Sequence, residues 1–167
     1  PVLAALLADP KLAHYARTGL APIPDPSVDD ALRAAAQKLK GELQIGVINS
    51  IGSRRDVKAV PMLVKMLYAA SAGTGCAAAA ALSLIGGPTA VRALEEAASK
   101  ARGAVRTAAM EGCLVLAEGL LAEGNRKAAL ALYTAMSRPE IPQPIRLAAM
   151  HSIIATERAL DRPRPPA

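Results

Sequence analysis

The side chains of this chain that could do chemistry are few, and their spacing argues against most of the reactions they would serve. His14 and His151 could act as general bases or metal ligands, and Cys76 and Cys113 as nucleophiles or ligands. The cysteines have no CxxC spacing, neither histidine stands at ligand spacing from them, and no HExxH pattern occurs. Cys76 and Cys113 both sit in apolar runs, where a small buried thiol is the expected role and a disulfide between neighbouring segments the alternative. Glu95 and Glu96 are adjacent, so on a helix they point about 100° apart and cannot share a proton-transfer task. Glu111 and Glu118, seven apart, lie on one helical face, where they would be solvated or meet a basic partner. The glycines of Gly73-Thr74-Gly75 and Gly86-Gly87-Pro88 follow no strand and lack the GxxxxGK[ST] pattern, so they read as turns rather than phosphate loops.

Arginines offer more. Arg54-Arg55 precede Asp56 in a polar turn; exposed there, they could grip a phosphate or carboxylate by bidentate contact. Lys11, Arg17, Gln44 and Asn49 fall among the polar positions of helical segments, on the side where a groove between such segments would form.

The elements that must carry these residues are helices. Apolar residues make up 52% of the 167, yet only 2% are aromatic, with three Tyr and neither Phe nor Trp. Such a core, built of Ala, Leu, Val and Ile, fills space only if backbones approach closely, as in tightly stacked helices. Helical stripes recur at Val28, Leu32, Ala35 and Leu39, at Leu43, Val47, Ile48 and Ile51, and at Val60, Leu63, Val64 and Leu67. Asp9-Pro10 and Asp25-Pro26 each pair an N-cap with proline in the first turn, and Asp56 is expected to cap the next helix. Gly41 is expected to break one helix, Gly52 to end another, and Pro61 to kink or restart a third.

An apolar residue, with glycine at the later two sites, marks recurring stops at Leu20, Ile51-Gly52 and Ile85-Gly86, at steps of 51 − 20 = 31 and 85 − 51 = 34 residues. That period belongs to stacked helix hairpins. Pairs are expected over 89–101 with 104–123 and over 126–137 with 144–160. About five pairs, the first truncated, would form a single domain over residues 1–160, followed by a Pro/Arg-rich tail over 161–167.

Net charge is +6, with a pI near 9.7. The basic residues are dispersed among acids, and without Phe or Trp there is almost no stacking platform for bases, which disfavours nucleic acid as a partner. No segment reaches the ~18 apolar residues that span a bilayer. The chain begins at Pro1, so any export signal would lie upstream, and its compartment, cytoplasmic or exported, stays open.

Residues 50–67 (SIGSRRDVKAVPMLVKML) and 80–94 (AALSLIGGPTAVRAL) resemble bacterial HEAT-like repeats of the PBS-lyase type. The shared elements are an alanine-rich second helix closing in Leu or Ile plus Gly, a polar turn, and an Ala-Val-Pro-x-Leu first helix. Residues 113–136 instead resemble a TPR hairpin, with Tyr133 filling the groove. The resemblance implies an all-α, right-handed solenoid of stacked antiparallel helix pairs, first helices convex and second helices concave. It implies a non-catalytic scaffold that binds another protein along the concave side, with no cofactor. It further implies a ladder between repeats from Asp56 to arginines early in second helices, which Arg106 and Arg146 match; Arg106 is also counted in the candidate binding surface with Lys11, Arg17, Gln44, Asn49, Arg54 and Arg55. Alternatives carried by other HEAT-like proteins are nucleic-acid binding of the DNA glycosylase kind, with Arg54 and Arg55 on phosphates, and service as an accessory module of a larger enzyme such as a bilin lyase. Uncapped apolar end repeats would favour self-association.

Overall fold

A computed structural model describes residues 2–158; the expected tail, with Arg162 and Arg164, lies outside the described residues. The architecture is an all-α solenoid, and the described residues contain no strand. The helices are α1 (Val2–Ala5), α2 (Ala13–Leu20), α3 (Pro26–Lys38), α4 (Gly41–Ser53), α5 (Val60–Met66), α6 (Ala72–Ile85), α7 (Gly87–Lys100), α8 (Gly103–Ala122), α9 (Arg126–Met136) and α10 (Gln143–Arg158). They group into two compact units, Pro1–Gly112 and Cys113–Ala167.

In the first unit α3 pairs with α4, α5 with α6, and α7 leads into α8, with α4 packed most extensively against α6. Asp25 accepts from the Ser27 amide at 2.8 Å and caps α3, with Pro26 in the first turn. Asp56 caps a 3-10 turn over Val57–Ala59 through the Lys58 amide at 3.0 Å, and α5 then restarts at Val60 with Pro61 in its first turn. Proline is tolerated there because that amide has no helical acceptor to lose.

The register of the stack is 31 residues. Leu32, Leu63 and Leu94 are buried at one position of successive first helices, and Ala16, Val47, Ala78 and Ala109 at one position of successive second helices. Small side chains let the helices close in: a β-carbon built on Gly52 would stand 2.7 Å from the Ala81 Cα. This corrects the expected stop at Gly52. That glycine is an α-helical contact point, its repeat partner is Ser83 rather than Gly86, and α4 runs on to turn at Arg55, whose φ is 53°. Gly86, with φ 75°, does end α6. The expected Gly73-Thr74-Gly75 turn is also corrected: Ser71 caps α6, and all three residues lie inside its first turns.

The fourth position of α4 and of α8 has one task. Gln44 in α4 donates to the Ala36 carbonyl at 2.9 Å, and Arg106 in α8 donates to the Ala98 carbonyl at 3.1 Å, each eight residues back. Between them stands Gly75, where an added β-carbon would sit 3.0 Å from the Leu67 carbonyl, again eight residues back. The ladder implied by the family resemblance is therefore built otherwise. Asp56 is ion-paired with Arg33 of α3, which also holds Asp30, while Arg106 is occupied by its own hairpin.

In the second unit α9 packs on α10. Gly124, with φ 80°, ends α8, and the Asn125 side chain caps α9. Tyr133 is buried, and burial pushes its hydroxyl pKa up against the opposing hydrogen bond with Ser152. Arg126 donates to the Thr156 carbonyl, and Arg146 to the Pro139 carbonyl at 3.0 Å. Leu147, Met150 and Ile154 stay exposed on α10. Cys113 is fully buried, whereas Cys76 of the first unit is half-buried.

Candidate functional site

Two successive second helices, α2 and α4, leave a cleft of about 330 Å³ between them. His14, Arg17 and Thr18 enter it from α2; Gly46, Asn49, Ser50 and Ser53 line it from α4; Ala21 and Arg54 close one end. The spacings 14, 17, 18 and 46, 49, 50, 53 each trace one helical face, so the facing stripes of two helices make the walls. No Asp or Glu lines the cleft.

Arg54 is already engaged. Its Nε donates to Asp29 at 2.5 Å, and its Nη1 donates to the carbonyls of Leu20, Ala21 and Ile23 at 3.2, 2.9 and 2.8 Å. The hydrogen bond to Asp29 raises the guanidinium pKa, with desolvation opposing it, so its charge is permanent and locally answered. Arg54 thereby ties the end of α4 to the last carbonyl of α2, which it shares with the Ile23 amide, and to the Ala21 and Ile23 carbonyls just beyond the helix.

Arg17 differs. Its side chain has no hydrogen-bond or ion-pair partner among the described residues, and its guanidinium lies against Gly46 where a β-carbon would otherwise stand. The glycine seats the cation half-buried in the cleft wall. Two hydroxyls are spent locally: Thr18 donates to the His14 carbonyl at 3.0 Å and Ser50 to the Gly46 carbonyl at 3.2 Å. The side chains of Asn49 and Ser53 are uncommitted among the described residues and exposed.

Of the residues singled out in the sequence, the cleft unites Arg17, Asn49 and Arg54. Lys11 lies outside it in the turn before α2, its amide bonded to Asp9 at 2.8 Å. Gln44 lies at the other end of α4, where it accepts from the buried Thr74 hydroxyl at 2.9 Å as well as donating to Ala36. Arg55 is exposed and does not line the cleft, and Arg106 is on α8. His14, weighed in the sequence only as a base or metal ligand, also lines the cleft; Thr18, Ser50 and Ser53 were not anticipated, although their helical phase relative to Arg17 and Asn49 carries the signal. Among the described residues no cluster of three or more His, Cys, Asp or Glu could hold a metal ion.

Stacked helix hairpins in register define an α-helical repeat protein. The HEAT repeats family model matches residues 30–113, half of the chain, and the chain belongs to that family. HEAT repeats commonly serve as protein-interaction scaffolds and are generally not catalytic. No curated protein matches the chain. No helix among the described residues is long and apolar enough to cross a membrane.

Proposed function

We propose that the protein is a non-catalytic scaffold whose second-helix face, the concave side in this family, receives a partner protein. The observation that carries this reading is the register of that face. Thr18, Asn49, Ala80 and Glu111, each 31 residues from the next, are exposed at one position of α2, α4, α6 and α8. Along that row the chemistry grades from the basic cleft at Arg17, across α6, which has no charged residue, to the acid at Glu111. A graded row of this kind suits an extended polypeptide segment, with affinity concentrated in a few anchors.

Nucleic-acid binding through Arg54 and Arg55 is less well supported, because Arg54 is committed to Asp29 and three carbonyls. The test is affinity capture from the native extract with Ala80→Arg and Asn49→Trp, using Glu95→Gln on the exposed side of α7 as a control. Loss of the captured partner with the first two and retention with the third is expected. Capture unaffected by either face substitution would refute the second-helix face as the docking surface.

A further inference from the structure

The cleft between α2 and α4 combines one unanswered permanent charge with the His14 imidazole and neutral donors. Arg17 is the lining cation with no partner among the described residues, whereas the charge of Arg54 is met by Asp29. With the Thr18 and Ser50 hydroxyls turned to their own helices, Asn49 and Ser53 remain as neutral donors beside Arg17. A planar guanidinium flanked by neutral donors matches a planar, singly charged carboxylate, which it can grip through two parallel hydrogen bonds. A volume of about 330 Å³ is at the small end of ligand pockets, fit for one side chain rather than a large cofactor.

Resting on the reading of the second-helix face as a docking surface, we propose that this cleft reads a Glu or Asp side chain of an acidic partner segment, with Arg17 as its anchor. The surroundings favour a polypeptide over a nucleic acid. A phosphate backbone needs cations repeated along its track, but the next second helix, α6, is uncharged and the exposed Glu111 of α8 would repel it. A dianionic phosphate would also find only one unanswered guanidinium.

Gly46 offers a test that separates binding from folding. A methyl group there would take the space of the Arg17 guanidinium, a flexible group that can swing away, while alanine in a helix interior improves on glycine. Amide chemical shifts of the full chain would be followed while titrating a blocked pentapeptide with two Glu, its Gln counterpart, inorganic phosphate, and a short DNA duplex. The Glu peptide should shift Arg17, Asn49 and Ser53 saturably, and its Gln counterpart should not. Arg17→Gln should weaken the Glu peptide about tenfold, as loss of one charge-assisted pair implies. Gly46→Ala should weaken it comparably without lowering the thermal midpoint.

No saturable shift, equal binding of the Gln peptide, or undiminished binding by Arg17→Gln would overturn the proposal. Tighter binding of phosphate or duplex at the same residues would overturn it in favour of a phosphate site. The wider reading fails separately. If partner capture survives Arg17→Gln but is lost with Ala80→Arg, the face stands and the carboxylate site falls; if no face substitution affects capture, the face itself falls.

Discussion

Gly52 of α4 and Ala81 of α6 meet backbone to backbone, so that a β-carbon on the glycine would stand 2.7 Å from the alanine Cα and 3.0 Å from its Cβ. Neither atom can move without shifting a helix. Gly52→Ala should therefore destabilise the first unit by about 1–3 kcal/mol, the usual cost of overpacking, despite the better helix propensity of alanine. Urea denaturation would measure this; a stability equal to or above that of the native chain would show that α4 and α6 are not so closely packed.

Arg54 binds one carboxylate and three carbonyls from a half-buried position. Arg54→Ala leaves Asp29 without its cation and takes the guanidinium donor from the Ala21 and Ile23 carbonyls, while the Leu20 carbonyl keeps the Ile23 amide, and a loss of about 2–4 kcal/mol is expected. Arg54→Lys keeps the charge but not the fork, and should recover only part of it. Chemical denaturation of both variants decides; full recovery by lysine would mean that charge alone mattered.

Thr74 is buried and donates to Gln44 Oε1 at 2.9 Å, while Gln44 Nε2 donates to the Ala36 carbonyl. Thr74→Val keeps the shape and removes the donor, so an acceptor is left unmet at a cost of about 1–2 kcal/mol. Thr74→Ser should cost less. An unchanged unfolding midpoint in the valine variant would show that this bridge between α4 and α6 does not contribute.

Asp25 has its pKa lowered by the backbone hydrogen bond from Ser27, with the Ser27 side chain adding to the shift. A depressed folded-state pKa means that its stabilisation is present above the unfolded carboxylate pKa and is lost as pH falls through the lower folded value. The thermal midpoint of Asp25→Ala should lie below that of the native chain at neutral pH, and the gap should close in acid. A gap constant from neutral to strongly acid pH would disprove the role of the charge.

Much of the framework was legible because it rests on local physics. The caps at Asp25 and Asp56 follow from side-chain oxygen beside a helix start, and the restart at Pro61 from a missing amide. The misread glycines are the instructive cases. Ile51-Gly52 and Ile85-Gly86 share a dipeptide but differ by three residues in register, and only packing against Ala81 makes one a contact and φ of 75° makes the other a stop. Likewise Gly73 and Gly75 read as turn residues, yet Gly75 lies in α6 with its missing side chain against Leu67 and Val105.

At the site, Arg17, Asn49 and Arg54 could be chosen from sequence as polar residues near a groove, but their different duties could not. Arg54 and Arg55 are neighbours in the chain. One is drawn into carbonyls contributed some thirty residues earlier, and the other, at φ 53°, is left exposed. What the amino-acid order alone determined is the helical content, the hairpin repeat and most helix starts, because these depend on neighbours within a turn or two. Which arginine stays unanswered, and beside which glycine it rests, was decided only by stacking, since that depends on which carbonyls and carboxylates from distant segments arrive within hydrogen-bonding reach.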